Sequence, residues 1–225
     1  MLLSVVMPAY NEVQSIEIMI DRVLALPLDL ELIVVDDGSK DGTRELLRKI
    51  ERQRLRVIFH PKNRGKGAAV RTGFEAALGE YVTIQDADLE LDPNHIPELL
   101  QPILDGKADI VFGSRFLNGY YHMRKISAFA NWFLTKLTNV LYGTHLTDME
   151  ACYKVFPRSL VPKLNLQSER FDFEPEITAK FARMKLRIVE LPVTYRPRHF
   201  LDGKKIGWRD GAQGIWTLLK YRVSA

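Results

Sequence analysis

The sequence contains a single cysteine, Cys152, among 225 residues, so no internal disulfide can form and a reducing cytosol suits the protein. It has no apolar run as long as a membrane span, and the opening Met1–Leu3 leads into a predicted strand rather than a signal peptide. No internal repeat, low-complexity stretch or linker interrupts it. With 46% hydrophobic and 27% charged residues, the composition predicts one ordinary globular domain over residues 1–225.

Two common nucleotide-binding motifs are also missing. A dinucleotide-binding unit needs Gly-x-Gly-x-x-Gly after its first strand, where this chain has Pro8–Glu12. A P-loop needs Gly-x-x-x-x-Gly-Lys-Ser/Thr, and the segment Asn63–Gly67 has neither that spacing nor the hydroxyl. This segment is left with two interpretations, an anion-binding loop or a glycine-rich turn that begins a helix.

Charge is distributed unevenly along the chain. Residues 1–112 carry 13 Lys and Arg against 19 Asp and Glu, a net of −6, whereas residues 113–225 carry 19 against 9, a net of +10. This asymmetry suits a site where metal ligands face anion-binding residues, although solvated surface charge explains most of it. Because the basic residues are scattered and accompany no nucleic-acid motif, no nucleic-acid partner is predicted.

Short apolar runs alternate with amphipathic segments, which predicts an α/β fold with a mostly parallel central sheet flanked by helices. The predicted strands are Leu3–Met7, Leu30–Val35, Arg56–Phe59, Tyr81–Ile84, Asp109–Phe112 and Lys185–Leu191. The predicted helices are Val13–Leu26, Gly42–Gln53, Lys66–Leu78, Asn94–Leu104, Ile126–Tyr142 and an amphipathic C-terminal helix from Trp208.

Polar or turn-forming residues follow four of the predicted strands. The four segments are Pro8–Glu12, Asp36–Ser39, Asp86–Asp88 and Gly113–Arg115. Ligands of parallel sheets gather at the carboxyl ends of the strands, so we expect these segments to form one site. The alternating carboxylates of Asp86, Asp88 and Glu90 are hard oxygen ligands, which indicates a small divalent cation beside a substrate phosphate.

Together these motifs resemble the inverting family-2 glycosyltransferases with a GT-A fold, and most closely their polyprenyl-phosphate branch, which includes dolichol-phosphate mannosyltransferase. The resemblance covers nearly the whole chain and rests on the order of Pro8–Glu12, Asp36–Ser39, Asn63–Gly67, Asp86–Asp88, Gly113–Arg115 and Asp148 ahead of Tyr153 and Lys154. Two positions depart from it. Glu90 stands where relatives often have Gln, and Ala151-Cys152 where Ser-Gly is common.

The resemblance implies metal-dependent, inverting transfer of a hexose from a nucleoside diphosphate sugar, of the GDP-mannose or UDP-glucose type, to a polyprenyl or dolichyl monophosphate. Residues 1–115 would bind the donor and residues 116–225 the acceptor. The implied donor-binding residues are Pro8, Tyr10, Glu12, Val35, Asp37, Asp86, Ala87, Arg198 and Lys204. The implied ligands of Mg²⁺ or Mn²⁺ are Asp86, Asp88 and Glu90. The implied catalytic residues are Asp88, Arg115 and Asp148, and the acceptor would be bound by Arg115, Arg124, Lys125 and Ser127.

The acceptor decides what chemistry the site must supply. A lipid monophosphate is already ionised near neutral pH and needs positioning, whereas a sugar hydroxyl needs a general base. Asp148 is the first candidate for that base, unless it is a structural cap. A glycosyltransferase of the same fold with a soluble acceptor and a non-catalytic sugar-nucleotide sensor therefore remain open as alternatives.

Two amphipathic helices bear on where the protein works. Tryptophan with lysine and arginine on the C-terminal helix predicts peripheral association with the cytoplasmic face of a membrane. This interpretation leaves room for a separate membrane-protein partner. The apolar face of Ile126–Tyr142 is predicted mostly to pack in the core.

Overall fold

A computed structural model describes residues 2–117, 125–197 and 208–223 of the chain. A seven-stranded sheet forms its centre. The strands are β1 Leu3–Ala9, β2 Leu30–Asp36, β3 Leu55–Phe59, β4 Tyr81–Ile84, β5 Ile110–Ser114, β6 Lys154–Pro157 and β7 Ile188–Pro192. The α-helices are α1 Ile16–Leu24, α2 Thr43–Leu47, α3 Lys66–Ala76, α4 Ile96–Leu104, α5 Lys125–Tyr142, α6 Val161–Leu164, α7 Phe173–Arg183 and α8 Trp208–Val223, and 3₁₀ turns cover Pro93–His95 and Arg158–Leu160.

The strand order is β3-β2-β1-β4-β6-β5-β7. Strand β6 runs antiparallel to both β4 and β5, while the other neighbouring pairs are parallel. The predicted mostly parallel α/β sheet is therefore confirmed. Strand β6 and helices α6 and α7 were not predicted, and α2 ends at Leu47 rather than at Gln53.

The burial of two interior strands, β1 and β2, explains why the strands in the first half of the sequence are easy to predict. Every residue of β2 is buried, and in β1 only Pro8 is half-exposed. A parallel sheet covered by helices on both faces requires such continuous apolar runs. Strand β3 lies at the edge of the sheet and is only partly buried.

Helix α5 packs differently from the prediction. Its buried face includes the polar residues Asn131, Thr135 and Thr138, while Phe129 and Phe133 are 64% and 44% exposed. The polar face turns inward because it holds the loop at residues 148–149. Asn131 donates to the carboxylate of Asp148, and the Thr135 hydroxyl accepts from the backbone amide of Met149. The prediction that most of the apolar face packs in the core is wrong. Among the described residues, no helix combines the length and hydropathy needed to cross a membrane.

Candidate active site

The topology brings the polar segments to one edge of the sheet. Strand β1 lies between β2 and β4, so the chain reverses its direction of winding there and leaves a crevice at the carboxyl ends of β1 and β4. Strand β6 is antiparallel, and Lys154 at its start pairs with Phe112 near the end of β5. The loop that carries Asp148 therefore enters the same edge.

The segments predicted to bind the donor lie side by side. Pro8 and Val35 are partners in the β1–β2 register, and the amide of Asp37 donates to the carbonyl of Ala9 at 2.8 Å. Glu12 is buried, and its carboxylate accepts a hydrogen bond from Ser15 at 2.9 Å. The register thus brings the ends of β1 and β2 together, while the roles of these residues in donor binding stay predictions.

Asp37 is engaged by the glycine-rich segment. Its carboxylate accepts from the backbone amides of Arg64 at 2.9 Å and Gly65 at 2.7 Å, and His60 lies 2.8 Å away. Gly65 has a φ of 103°, and a Cβ there would lie 2.3 Å from the carbonyl oxygen of Glu169. The two amides serve Asp37 rather than an incoming anion. Of the two interpretations of this segment, the structure supports the turn that begins a helix.

The first acidic residue after β4 is part of a partly buried ion pair. Lys66 Nζ lies 2.9 Å from the carboxylate of Asp86 and 3.5 Å from that of Glu174. Burial alone would raise the pKa of Asp86, but the charge and hydrogen bond of Lys66 hold it below its usual value, with a contribution from Arg115. Asp86 is therefore ionised and compensated before any ligand binds.

The other two carboxylates of the acidic turn have separate partners. Asp88 accepts from the amide of Glu90 at 3.1 Å, and Leu89 between them has a φ of 61°. The Glu90 carboxylate accepts from the hydroxyl of Tyr195 at 3.0 Å, and its carbonyl accepts from the amide of Arg196 at 2.8 Å. The turn is thus tied to the segment that follows β7.

Whether the acidic turn suits a metal ion depends on how many of its carboxylates can bind the ion. In the described part of the chain, no group of three or more His, Cys, Asp or Glu residues can hold a metal alone. Mg²⁺ and its relatives commonly take one or two protein carboxylates and complete their shell with substrate phosphates and water. Asp88 and Glu90 match that pattern. Asp86, paired with Lys66, is less suited than the sequence predicted.

Arg115, just beyond β5, is held by Asp148. Arg115 Nε donates to Asp148 Oδ2 at 2.7 Å and Nη2 to Oδ1 at 2.8 Å, and the amide of Arg115 donates at 3.1 Å. Asn131 adds a fourth donor at 3.0 Å. Burial would raise the pKa of Asp148, but Arg115 holds it below its usual value. Nη1 of Arg115 makes no hydrogen bond to a described residue, and the guanidinium carbon lies 5.5 Å from the ring centre of Tyr195.

The remaining predicted residues are less informative. Arg124, Arg198 and Lys204 lie outside the described residues. Lys125 begins helix α5, although its side chain is not described, and Ser127 is half-buried in the first turn. The early part of α5 adjoins the site, because Asn131 reaches Asp148.

The chain also matches a known protein family. The family model described as Glycosyl transferase family 2 matches residues 4–164. The chain belongs to glycosyltransferase family 2. The match includes the segments after β1, β2, β4 and β5, and the loop of Asp148.

Several family-2 relatives are similar over most of this chain. The low-salt glycan biosynthesis hexosyltransferase Agl6 of Haloferax volcanii is 33% identical over 92% of the chain and 51% of its own length. The undecaprenyl-phosphate 4-deoxy-4-formamido-L-arabinose transferase of Aeromonas hydrophila is 32% identical over 90% and 62%. The undecaprenyl-phosphate mannosyltransferase of Micrococcus luteus is 29% identical over 90% and 86%. The chain thus spans little more than half the length of the first two.

A solved structure shares the fold. Glucosyl-3-phosphoglycerate synthase from Mycobacterium tuberculosis, in complex with Mn²⁺, UDP and glucosyl-3-phosphoglycerate, has a TM-score of 0.71 and 25% identity. The match covers 98% of this chain and 79% of that one. It confirms the predicted GT-A fold.

Sequence reasoning missed four residues that contact or adjoin the candidate site residues: Lys66, Glu150, Tyr195 and Glu190. Lys66 lies within the glycine-rich segment Asn63–Gly67, but no role of its own was predicted for it. The Tyr195–Glu90 contact joins residues 105 positions apart, and the Glu190–Asp148 contact joins residues 42 apart. No spacing pattern signals such pairs. Glu150 could have been found from the sequence, because it lies only two residues after Asp148.

Glu150 gives a prediction on the pH dependence of stability. Burial and the neighbouring Glu174 raise the pKa of Glu150 to about 7, against the charges of Lys154 and Arg115. The folded state therefore binds a proton more tightly than the unfolded state, and stability falls as pH rises from the ordinary Glu value towards 7. Glu150→Gln cannot ionise, so its stability relative to wild type should increase by on the order of 1–2 kcal/mol from about pH 5 to about pH 8.

Chemical denaturation of both proteins across this pH range measures the effect. Glu169→Gln is a matched control, because the Glu169 side chain is 59% exposed and the same change should leave the pH profile as in wild type. Parallel profiles for wild type and Glu150→Gln would contradict the raised pKa.

Proposed function

We propose that this protein transfers a hexose from a nucleoside diphosphate sugar to a polyprenyl monophosphate and inverts the anomeric centre. The donor would lie along the ends of β1, β2 and β4, within residues 1–115, and the acceptor would bind within residues 116–225 with its phosphate at Arg115. Two of the relatives are named as undecaprenyl-phosphate transferases, which supports the acceptor class.

The observation that carries the proposal is the state of Asp148. Its carboxylate is buried and accepts four hydrogen bonds, three of them from Arg115. A carboxylate with a lowered pKa and both oxygens engaged is a weak general base. A hydroxyl acceptor needs an effective general base, which Asp148 is not. A phosphate monoester arrives ionised and needs only a cation to place it. Arg115, with Nη1 available, suits the phosphate.

The same ion pair assigns roles in the displacement. An acceptor phosphate oxygen would attack the anomeric carbon while the bond to the nucleoside diphosphate breaks. Asp148 keeps the guanidinium of Arg115 in one orientation, so that the nucleophile is held rather than activated. Asp88 and Glu90 would hold Mg²⁺ or Mn²⁺, and such an ion, when bound, offsets the charge that develops on the leaving diphosphate.

Exposed apolar side chains support a membrane location for the acceptor. On α5, Ile126 is 74% exposed, Phe129 64% and Trp132 43%, and on α8 Trp216 is 63% exposed. A polyprenyl chain lies in a bilayer, and amphipathic helices with tryptophan and cationic residues bind at its interface. We propose peripheral association with the cytoplasmic face of a membrane through these helices. A separate membrane-protein partner on the same surface would be compatible with it.

A soluble phosphorylated acceptor is the second candidate. One of the solved structures that share this fold is named as a glucosyl-3-phosphoglycerate synthase, whose name indicates an acceptor that carries a phosphate but no lipid. The Arg115–Asp148 arrangement suits either phosphate. The exposed face of α5 favours the lipid, because a soluble acceptor gives no reason for that surface.

One experiment separates these functions. The protein is incubated with labelled GDP-mannose or UDP-glucose, Mn²⁺ and anionic liposomes that contain a polyprenyl phosphate, in parallel with 3-phosphoglycerate. The proposal predicts label in the organic extract and protein that floats with the liposomes. Label in an aqueous phosphoglycerate product would favour the second candidate. Nucleotide binding without transfer to either acceptor would indicate a non-catalytic sensor.

Matched variants test the membrane surface within the same assay. Phe129→Ser and Trp132→Ser should each weaken flotation of the protein with the liposomes. Leu78→Ser should not, because Leu78 is 63% exposed but precedes β4, at the opposite edge of the sheet. Protein that never floats with the lipid, or equal flotation of all three variants, would count against the assigned surface.

A further inference from the structure

The Thr147–Asp148 loop is held by a carboxylate from strand β7. Oε2 of Glu190 accepts from the amide of Thr147 at 2.7 Å and from its hydroxyl at 3.0 Å. Oε1 of Glu190 accepts from the amide of Asp148 at 3.0 Å. Glu190 is the register partner of Phe112 in β5, which places it two residues short of the end of that strand.

The same contacts extend to both neighbours of Arg115. The hydroxyls of Thr147 and Ser114 lie 2.7 Å apart, and the oxygen of Ser114 accepts from the amide of Phe116 at 3.2 Å. Asp148, whose amide Glu190 holds, binds the guanidinium of Arg115. Glu190 thus holds the backbone of the loop at Thr147 and Asp148. Thr147 in turn contacts Ser114, and the carboxylate of Asp148 orients the side chain of Arg115.

We propose that Glu190 is a positioning residue for Arg115, and that it acts through Thr147 and Asp148 to hold the guanidinium at the acceptor phosphate. The part that concerns the phosphate rests on the proposed function. Glu190 need not touch any substrate. A shift of about 1 Å in a group that holds a nucleophile can cost about 100-fold in rate, which is why such a remote anchor matters.

The chemistry of the side chain supports this role. Burial raises the pKa of Glu190, the like charge of Asp148 adds to the rise, and the donors of the loop oppose it. Two carboxylates close together are an unfavourable choice for packing alone. A carboxylate has two acceptor oxygens for the three donors of the loop, whereas a glutamine of the same shape has only one and must turn its NH₂ towards a donor.

Glu190→Gln therefore breaks the anchor without changing its volume. Glu31→Gln is the matched control. Glu31 is also a buried carboxylate on a strand of the sheet, but it lies at the amino end of β2, away from the site. It accepts from the Ser4 hydroxyl at 2.6 Å, the Leu78 amide at 2.7 Å and the guanidinium of Arg56 at 3.2 Å. Both variants should lose stability to a similar degree.

Turnover separates positioning from folding. Measured well below both melting temperatures, Glu190→Gln should lower kcat by about 10- to 100-fold, while the KM for the donor stays within about threefold of wild type. Glu31→Gln should keep the turnover of wild type. Equal turnover of the two folded variants, or a loss confined to the donor KM, would overturn the proposal.

A second readout does not depend on any reaction. The Nε–H of Arg115 donates to buried Asp148, so its ¹H–¹⁵N signal, identified by its absence in Arg115→Lys, should exchange slowly with water. Glu190→Gln should shift this signal and speed its exchange, and Glu31→Gln should not. An unchanged signal in Glu190→Gln would overturn the proposal even if the protein transfers no sugar, so this result is distinct from failure of the proposed function.

Discussion

Asp88→Asn is expected to remove metal-dependent turnover and leave the fold intact. The asparagine keeps an oxygen that can accept from the amide of Glu90, as Asp88 does at 3.1 Å, so the turn should persist. It loses the negative charge that a divalent cation requires. If the ion contributes several kcal/mol to the transition state, turnover should fall by about 100- to 1,000-fold.

The measurement is the initial rate against Mn²⁺ concentration, together with donor binding by calorimetry with and without the metal. Asp92→Asn is the matched control: Asp92 lies four residues further along the same loop and caps the turn at Pro93–His95 through the amide of Asn94 at 3.1 Å. The control removes the same charge and should behave as wild type. Unchanged turnover in Asp88→Asn would refute the metal role.

Asp86 is a poorer choice for this test, although the sequence puts it in the same motif. Its carboxylate compensates the largely buried Lys66, which also faces Glu174. Neutralising Asp86 would leave that cation less well paired, so a loss of activity would mix metal binding with a change in local structure. The ion pair thus divides the motif: Asp86 is tied to the buried network, and Asp88 is the residue to test for the metal.

The part of the fold that the sequence predicts well is the part with continuous burial. Strands β1, β2 and β4 were predicted within a few residues because helices cover both faces, so that nearly every residue of these strands is buried and most are apolar. A predicted motif follows each of these three strands, and a fourth follows β5. The four motifs could therefore be assigned to one edge of the sheet from the sequence alone.

Strand β6 escaped prediction for a physical reason. It has only four residues, begins with Lys154 and ends with Pro157. Lysine is an unusual first residue for a buried strand, but here Lys154 is fully buried and paired with Glu174, which lies on α7. The charge of Glu174, 20 residues away, compensates the cost of burying Lys154. No local sequence pattern reveals that partner.

Helix α5 shows the opposite error. Its apolar residues have helical spacing, and periodicity correctly predicted the helix. Which face points inward was decided by Asn131 and Thr135, which hold the loop at Asp148 and Met149. Hydrogen bonds to residues distant in sequence thus decide which face of the helix is buried. The apolar stripe is left exposed and becomes a candidate membrane surface.

Arg115→Met is expected to be the most destabilising of the substitutions considered. Asp148 is fully buried, and loss of Arg115 leaves its charge without a cation, which typically costs about 3–5 kcal/mol. Adding Asp148→Asn should recover part of this loss, because no charge then remains to be buried. Arg187→Met is the control: Arg187 pairs with Asp109 at 3.2 Å, but with its side chain 60% exposed the change should have little effect on stability.

Turnover then shows what Arg115 does beyond folding. The double variant should regain stability in urea denaturation yet stay at least about 100-fold below wild type, because the cation proposed to place the acceptor phosphate is gone. Its donor affinity should be near normal, since the segments proposed to bind the donor lie after β1, β2 and β4. Recovery of turnover along with stability would mean that the ion pair serves only to close the loop. Stability without turnover would assign the phosphate to Arg115, because the fold and the donor site would both be intact.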